Sequence, residues 1–573
     1  TDINTVRGQE TGYATLNPLS RYSALVPSDG NLVFTDDDSA NGGDQGIQAT
    51  ILPTSGKYYW EVTPTALASE NYYGVSKQHK LTQTVWTGGA VDAYFYYNNG
   101  KKIGGGNGNG GETYGDSFGV GDVIGVAVSW DDGTVTFYKN GVSQGVAFSG
   151  VDLAGYIPSV YLNTNQTGAG RINFGQKPFK FPPPDGFQPL NTANTRPVKV
   201  ISRPDQYVGV TTYKGTGSLR DVSVGMQPDL VWIKRMDDTQ SHIIVDVLRG
   251  STEELNSDTN GAEGTFNRNV TAFNSDGFRV WDGNPNTTNA DFVTWTWKAG
   301  GAPTATNTQS SGAMTANSVS VDGVLQSAYT PSGSPTIYPK KMSVGTKQGF
   351  SIVQYVGNDT AGATLPHGLT QAPDVFITKA DYDSREWQMY HKSLGNQQPI
   401  RLNTTDAAQS AHVSYFNNTS PTANVVTFGN GGDANQGGET PLTYVMYAWH
   451  DVPGLQKFGS YEGNENTGGD GPFVELGFRP AIIWIKNSEQ GTSAADWVIY
   501  DSERNKFNPS GKQLYPNRNV AEADDSNHQF DILSNGFKVR STSTSDLTNA
   551  TDTYIYCAWA EAPSVDLFGG GAN

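Results

Sequence analysis

Two short segments have residue types and spacings that could do chemistry. Gly141-Val-Ser-Gln-Gly145 matches the nucleophile elbow of hydrolases, in which a strand-turn-helix exposes the serine. Gly106-Asn-Gly-Asn-Gly-Gly111 matches the loop that holds a dinucleotide pyrophosphate at a helix N-terminus. The first segment is flanked by strand-like residues on both sides, and no helix follows the second. We therefore predict a hairpin turn and a surface loop, with no catalytic residue and no cofactor.

Acidic residues offer a second kind of chemistry. A glycan hydrolase needs two carboxylates facing each other across a groove. The available pairs are Asp237-Asp238, Asp381 with Asp383, and Glu253-Glu254. Each pair is equally typical of a charged turn, so we predict that the chain is not an enzyme and keep a glycan depolymerase as an alternative.

One acidic segment has residue types that could bind a metal ion. Asp36-Asp-Asp38, Asn41 and Asp44 could gather oxygen ligands for Ca²⁺, but the twelfth position from Asp37 is Gln48 instead of the glutamate that an EF-hand requires. Cys557 is the only cysteine, which excludes an intrachain disulfide and a cysteine-based zinc site. The seven histidines are scattered and are interpreted as surface or hydrogen-bonded residues. We predict no metal.

Aromatic residues are the better candidates for binding. In Tyr94-Phe-Tyr-Tyr97, strand alternation turns Tyr94 and Tyr96 to one face and Phe95 and Tyr97 to the other, so one pair can reach solvent. Tyrosine and tryptophan supply rigid contact area for a protein or sugar ligand. Trp86, Tyr94 and Tyr96 are therefore the candidate ligand-binding residues, and the alternative is ordinary packing inside a sandwich.

The composition limits which secondary-structure elements can position these residues. The chain has 573 residues, 68 of them glycine, and a net charge of −18. A glycine-rich, aromatic-rich chain with few charges suits short strands joined by tight turns. The acidic balance argues against nucleic-acid binding, which depends on clustered lysine and arginine. No apolar run approaches the roughly 20 residues that span a bilayer, and the first residues lack the apolar core of a signal peptide. We expect a soluble protein without membrane insertion.

Turn signals support an all-β fold. The strand-like run Val123 to Trp130 is followed by Asp131-Asp-Gly133 and by the strand-like run Thr134 to Tyr138, which predicts a hairpin. Lys139-Asn-Gly141 supplies a second turn of the same kind. The segment is therefore predicted to be a three-stranded meander.

An internal repeat organises the rest of the chain. Its buried-strand landmarks are Pro228-Asp-Leu-Val-Trp-Ile-Lys234, Pro373-Asp-Val-Phe-Ile-Thr-Lys379 and Pro480-Ala-Ile-Ile-Trp-Ile-Lys486. Each copy closes on a strand ending in tryptophan, and we assign to the cores Trp232, Trp297, Trp449, Trp484 and Trp559. The continuous apolar runs predict strands buried on both faces. Lys234, Lys379 and Lys486 are expected to end those strands at solvent.

Domain boundaries follow from these repeats, each close to the size of one β-sandwich. We predict a sandwich at 1–197, repeat 1 at 198–300, repeat 2 at 350–454 and repeat 3 at 455–573. Residues 301–349, rich in Ala, Ser, Thr, Pro and Gly, are predicted to be a linker or extended arm. Within this arm, Ser318-Val-Ser-Val-Asp-Gly323 has strand alternation and a turn, so part of it can pair with a neighbour.

The N-terminal block resembles a SPRY domain, a concanavalin-like sandwich of two antiparallel sheets. The motifs that carry the resemblance are Gly56-Lys-Tyr-Tyr-Trp-Glu-Val62, Gly121-Asp-Val-Ile-Gly-Val-Ala-Val128, Asp131 to Gly141, Ile172-Asn-Phe-Gly-Gln-Lys-Pro-Phe179 and Pro183-Pro-Asp-Gly-Phe187. The resemblance covers roughly residues 15–192. It implies a binding module that contacts partners through loops at one edge of the sandwich.

The repeats, over roughly residues 206–563, are similar to modules in structural proteins of tailed phages, particularly marine cyanophages. Together the two resemblances imply an all-β virion protein: a SPRY-like sandwich followed by three related sandwich modules in tandem. Its expected role is a tail fibre or tail-associated appendage, with a capsid decoration protein or a free SPRY adaptor as further alternatives. Expected partners are other virion proteins and the bacterial host surface, protein or glycan. Homo-oligomerisation is compatible with this role.

Overall fold

Short antiparallel strands make up nearly all regular structure in the computed structural model. The structure describes residues 12–22, 25–36, 44–78, 92–104, 111–163, 167–192, 194–195, 200–410, 412–437, 442–543 and 547–562. Two compact units are present: Thr1–Val198 with Pro472–Val474, and Lys199–Gly471 with Glu475–Asn573. Among the described residues, no helix is long and apolar enough to cross a membrane. The predicted all-β fold class is confirmed.

The first unit is a sandwich of two sheets. One sheet has the strand order Leu16–Arg21, Asp44–Ala49, Tyr156–Asn163, Asn71–Lys77, Ala93–Tyr97, Lys101–Gly104, Glu112–Thr113. The other has the order Val142–Ser149, Thr134–Lys139, Ile124–Ser129, Lys57–Ala66, Ala169–Asn173, Val33–Asp36, Leu25–Ser28, with Gln188–Pro189 pairing alongside Lys57–Ala66. The predicted meander is confirmed, because Thr134–Lys139 pairs with both Ile124–Ser129 and Val142–Ser149.

The second unit contains the three repeats, each built on a main sheet. In repeat 1 the main sheet has the order Val208–Lys214, Asp291–Trp297, Leu230–Arg235, Ile243–Asp246, Gly250–Leu255, Gly264–Thr265. In repeat 2 the order is Val324–Leu325, Val319–Val321, Lys341–Gly345, Phe350–Val356, Thr443–Trp449, Val375–Ala380, Gln388–His391, Ile400–Arg401. In repeat 3 it is Gln456–Glu462, Thr553–Ala560, Pro480–Asn487, Val498–Asp501.

Smaller elements lie outside these main sheets. The remaining strands are Arg220–Ser223, Val270–Asn274, Gly277–Val280, Ala363–Pro366, Val425–Phe428, Phe473–Glu475, Lys512–Gln513, Ala523–Asp524, Phe530–Leu533 and Gly536–Val539. Among the residues that the structure describes, the short helices are Val413–Phe416 and Gly432–Asn435, with 3₁₀ turns at Pro204–Gln206 and Asn284–Asn286. Part of the predicted linker 301–349 is strand, since Val319–Val321 pairs with Val324–Leu325 and with Lys341–Gly345.

We call the strand that carries the apolar landmark of each repeat its main strand: Leu230–Arg235, Val375–Ala380 and Pro480–Asn487. Each main strand lies between two cores. In Leu230–Arg235, Val231 and Ile233 pack in a core private to repeat 1. Leu230 and Trp232 instead join a core that all three repeats share. This double burial is the reason that the strand reads as a continuous apolar run, as predicted.

The shared core centres on the closing tryptophans. Trp297, Trp449 and Trp559 form a triangle with ring centroids 5.4 to 6.4 Å apart, all in edge-to-face geometry. Each is at most 1% exposed, so the prediction that the repeat tryptophans belong to cores is confirmed. The three repeats are therefore joined around a common centre.

Hydrogen bonds also join the repeats in a cycle, from repeat 2 to repeat 1, from repeat 3 to repeat 2 and from repeat 1 to repeat 3. Three equivalent residues, just before the second core strand of each repeat, reach a backbone carbonyl of another repeat. Trp387 Nε1 donates to Asn256 at 3.0 Å, Trp497 Nε1 donates to Arg401 at 2.8 Å, and His242 Nε2 lies 2.9 Å from the Tyr515 oxygen. The His242 ring must donate from Nε2, because its Nδ1 accepts from the Trp232 indole at 2.8 Å. Burial lowers the pKa of His242 to about 3, which keeps the ring neutral.

The expectation that three lysines end their strands at solvent is wrong. Lys234, Lys379 and Lys486 are each 0% exposed. Each ammonium donates to the backbone carbonyls one and four residues ahead, as from Lys234 to Arg235 at 2.7 Å and to Asp238 at 3.4 Å. The lysine thus closes the loop after its strand. Burial lowers the pKa of Lys234 and of Lys379 to about 8.

Candidate functional site

The candidate site lies on the outer face of the eight-stranded sheet of the sandwich. Alternation along Lys57–Ala66 directs Tyr58, Trp60 and Val62 into the core. The opposite face carries Tyr59 and Glu61, which are 1% and 4% exposed because other residues cover them. This covered face positions the chain segment that follows the strand Ala169–Asn173.

Glu61 holds that segment in place. Its carboxylate accepts hydrogen bonds from the backbone N–H groups of Lys180 and Phe181, both at 2.9 Å. Phe179 packs edge-on against Tyr59 with ring centroids 5.1 Å apart. A buried carboxylate that accepts two backbone N–H groups satisfies donors that would otherwise be left unpaired. The segment is therefore fixed to the sheet.

Beside this anchor is a hollow of about 210 Å³ that we call the basic hollow. Its rim carries the exposed cations Arg171, Lys177 and Lys180. Arg171 points outward from its strand because its neighbour Ile172 points into the core. Lys177 stands on a turn closed by Asn173, whose side-chain oxygen accepts from the Lys177 N–H at 3.3 Å. Two elements thus bring the three cations together.

The charge of this hollow differs from that of the chain. Three cations line it, whereas the whole chain carries −18. The Glu61 carboxylate is engaged by backbone donors, and Arg171 is 3.0 Å from Asp29 in an exposed ion pair. An exposed pair of this kind exchanges partners at little cost. The basic hollow is suited to an acidic group of a partner molecule.

The sequence-predicted ligand residues lie elsewhere in the sandwich. Tyr94 and Tyr96 are 4% and 0% exposed, and Tyr96 packs against Phe118 and Phe137 inside the sandwich. Phe95, on the opposite face, is also fully buried, so both faces of this strand are covered. Trp86 lies outside the described residues, as do residues 37–43 of the calcium alternative and residues 105–110 of the glycine-rich loop. The ligand-binding role of Trp86, Tyr94 and Tyr96 stays a prediction.

The nucleophile-elbow pattern lies in a strand-turn-strand setting. Ser143 lies in the strand Val142–Ser149, after a turn in which Asn140 and Gly141 have positive φ of 50° and 81°. This is the predicted hairpin setting. The basic hollow shares no residue with either pattern. Its residues were missed because Arg171, Lys177 and Lys180, spaced six and then three positions apart, match no strand or helix repeat.

The carboxylate pairs make local bonds. Asp237 and Asp238 both pair with Arg235, at 2.6 and 3.3 Å. Asp383 is 3.1 Å from Arg385, whereas burial raises the pKa of Asp381 to about 7. Glu253 accepts from Thr265 at 2.9 Å and Glu254 from Asn269 at 2.6 Å. In the part of the chain that the structure describes, no three His, Cys, Asp or Glu side chains group closely enough to hold a metal ion.

Comparison with protein families assigns both units. The family described as "Domain of unknown function (DUF7483)" matches residues 203–337 and 331–563, which together exceed half of the chain. The chain belongs to the DUF7483 family. Its first match covers repeat 1 with most of the arm, and its second match covers repeats 2 and 3. The SPRY domain family matches residues 57–177, so the N-terminal unit contains a SPRY domain.

Curated relatives of this DUF7483 chain match about a quarter of it. The E3 ubiquitin-protein ligase RKP of Arabidopsis thaliana is 34% identical over 145 residues, which are 25% of this chain and 11% of the ligase. The Ran-binding proteins 9/10 homolog of Drosophila melanogaster is 35% identical over 134 residues, or 23% of this chain and 13% of the homolog. The chain therefore spans only about a tenth of the length of these relatives.

Two of the solved structures to which the chain is similar are SPRY domains. The SPRY domain of human HERC1 is 22% identical, with a TM-score of 0.23, and covers 28% of this chain and 96% of its own. A second human SPRY domain is 19% identical, with a TM-score of 0.23, and covers 27% of this chain and 98% of its own.

Proposed function

We propose that this chain is a non-catalytic binding and structural protein of a phage particle. Its role would be that of a tail fibre or tail-associated appendage, which contacts the host surface or neighbouring virion proteins. The observation that carries the proposal is the joining of a SPRY domain to three repeats locked into one body by a shared core. The SPRY domain would supply contact loops, and the shared core would hold the repeats in fixed positions. The virion location is proposed from the resemblance of the repeat sequences to phage structural modules.

The SPRY domain would supply one of the contacts. Its basic hollow offers three cations to an acidic group of a virion protein or of the host surface. Complementary charge mainly increases the rate of association and the specificity of such a contact. Several weak contacts of this kind, made by copies of the chain on one particle, add up to strong attachment.

Purified particles test the virion location. Particles of the phage that encodes this chain are banded on a density gradient. The band is analysed by mass spectrometry and by immunogold electron microscopy with antibodies to the recombinant chain. We expect the chain in the particle band and gold on the tail. Antibody absorbed beforehand with the recombinant chain serves as the control.

Other outcomes would contradict parts of the proposal. Absence of the chain from banded particles would contradict a virion role. Gold on the head would replace the tail assignment with a capsid decoration protein. Release of fragments from host polysaccharide by the purified chain would favour a glycan depolymerase.

A further inference from the structure

A second concave surface lies in the DUF7483 part of the chain, at the junction of repeats 1 and 3. This groove encloses about 630 Å³, within the range of about 300–1,000 Å³ that is usual for small-molecule sites. We call it the Phe507 groove. The wall from repeat 1 carries Lys214, Met236 and Asp291, and the wall from repeat 3 carries Glu503, Lys506, Phe507, Lys512 and Glu522.

The base of the groove is a fixed structure. Arg504 has a side chain only 1% exposed, and it donates to Asp501 at 2.6 Å and to Glu522 at 3.0 Å. The Glu522 N–H in turn donates to the Met236 carbonyl at 2.8 Å, which joins the two repeats. Asp501 also accepts from the Trp295 indole of repeat 1 at 3.0 Å. The groove is therefore held open by bonds that cross the junction.

The charges at the rim are matched in pairs. Lys214 is 2.9 Å from Asp291, Lys512 is 3.5 Å from Glu522, and Lys506 is 3.6 Å from Glu503. Matched pairs present little net field to a charged ligand. Each ammonium still has three donors and each carboxylate about four acceptor positions, so both retain hydrogen-bonding capacity beyond their pair. Such a rim favours an uncharged ligand that has many donors and acceptors.

Phe507 adds an exposed aromatic face. The residue is 86% exposed, an unusual position for a large apolar ring. Aligning repeat 3 with the others on Asp501, Asp246 and His391 places Thr252 and Gln397 at the equivalent positions, so the ring is particular to repeat 3. The face of an aromatic ring is negative, and it attracts the weakly positive C–H bonds on one side of a sugar ring.

We propose that the Phe507 groove binds an oligosaccharide, with one sugar ring stacked on Phe507 and its hydroxyl groups bonded to the paired lysines and carboxylates. This assignment rests on the proposed function and deepens it, because it makes a host surface glycan the ligand of repeat 3. A bound peptide helix would need a broad apolar groove, and a proline-rich peptide would need several aromatic residues. A single ring among paired charges favours a sugar.

Polysaccharide binding by the full chain tests the assignment. The labelled chain is applied to a printed array of purified bacterial O-antigen and capsular polysaccharides and, separately, to a random peptide array. The strongest polysaccharide is then measured by biolayer interferometry. We expect Phe507→Ala to weaken binding at least tenfold and Lys512→Gln to weaken it roughly threefold to tenfold. Tyr382→Ala is the matched control, because Tyr382 is 70% exposed but belongs to repeat 2, and it should bind within twofold of the unchanged chain.

Three results would overturn the assignment. The first is a chain that binds no polysaccharide on the array. The second is undiminished polysaccharide binding by Phe507→Ala, with circular dichroism confirming that the variant is folded. The third is peptide binding without polysaccharide binding, lost in Phe507→Ala, which would make the groove a protein-docking site. None of these results depends on whether the chain is found in particles, so failure of the virion proposal and failure of the glycan proposal are distinguishable.

Discussion

At the residue scale, different side chains perform the same task in the three repeats. His242, Trp387 and Trp497 occupy equivalent positions, and each places a ring nitrogen against a backbone carbonyl of another repeat. A histidine replaces a tryptophan because both can offer one N–H from a planar ring. The three repeats therefore share a ring N–H group at this position, although the residue that carries it differs.

Asp381 gives the repeats a pH dependence. The carboxyl group is 0% exposed, and burial is the main cause that raises its pKa to about 7. The nearby carboxylates of Glu263 and Asp246 raise the pKa further, and Arg249 opposes them. Between about pH 4 and pH 7 the folded state binds more protons than the unfolded state, so stability falls as the pH rises. The loss is complete above pH 7.

Asp381→Asn should remove this dependence. We expect the thermal unfolding midpoint of the variant to fall less than that of the unchanged chain between pH 4 and pH 7. Its advantage should be greatest above pH 7, on the order of 4 kcal/mol for a pKa raised from 3.8 to about 7 at about 1.4 kcal/mol per pKa unit. Asp359→Asn, at an exposed position of the same repeat, is the control and should keep the original slope. Equal slopes for Asp381→Asn and the unchanged chain would contradict the interpretation.

Glu61 should prove important for the SPRY domain. Glu61→Ala leaves two partly buried backbone N–H groups without their acceptor, which costs about 2–4 kcal/mol of unfolding free energy. Glu61→Gln should cost less, because its amide oxygen still accepts. Urea unfolding measures both, with Glu112→Ala as control, since Glu112 is 54% exposed and pairs only loosely with Lys102 at 3.4 Å. A cost for Glu61→Ala no greater than that of the control would show that the segment is held by its aromatic packing alone.

At the scale of the elements, each main strand is covered on one side by its own repeat and on the other side by its neighbours. Val231 and Ile233 belong to the private core of repeat 1, and Leu230 and Trp232 to the shared core. Both faces of such a strand are shielded from solvent only when the neighbouring repeats are folded against it. The junctions between repeats are therefore part of the fold of each repeat.

Trp497→Phe tests one junction. The change keeps a large ring but removes the N–H that donates to Arg401 at 2.8 Å. An unpaired carbonyl and a lost hydrogen bond should reduce the unfolding free energy by about 1–3 kcal/mol. Trp281→Phe is the matched control, because Trp281 is 45% exposed, and it should change stability by less than about 0.5 kcal/mol. Similar values for both variants would mean that the bond contributes nothing net.

At the scale of the whole molecule, the three repeats depend on one common centre. Trp559 of repeat 3 lies within 5.4 Å of Trp297 in repeat 1 and 6.1 Å of Trp449 in repeat 2, measured between ring centroids. Removing one ring from this triangle opens a cavity that all three repeats line. A shared cavity spreads destabilisation across repeat boundaries.

Hydrogen exchange can detect this spread. Trp559→Ala should cost about 3–5 kcal/mol and should accelerate exchange in Leu230–Arg235 and Val375–Ala380 as well as in Pro480–Asn487. Phe537→Ala is the control, because Phe537 packs against Phe530 and Tyr461 within repeat 3. Its effect should be confined to repeat 3. If Trp559→Ala also left repeats 1 and 2 unchanged, the repeats would be independent domains.

The sequence alone determined the elements of this protein, because strand and turn signals are local. Alternation, Asp-Gly and Asn-Gly turns and the repeated apolar runs predict the hairpins and the buried strands, and the SPRY motifs predict the first unit. Burial of both faces of a main strand also follows from its unbroken apolar run. The burial of Lys234, Lys379 and Lys486 does not follow, because a lysine at a strand end is usually solvated and only the returning loop encloses it.

Only the tertiary structure shows which strand faces pack against which repeats, and which residues form the two concave surfaces. Whether the second face of each strand meets its own repeat or another one depends on contacts more than 100 residues apart, such as Trp295 with Asp501. The basic hollow and the Phe507 groove are likewise assembled from separate stretches of chain. No periodic sequence pattern predicts these long-range contacts, because the spacing of the contacting side chains depends on the path of the backbone and not on a strand or helix repeat.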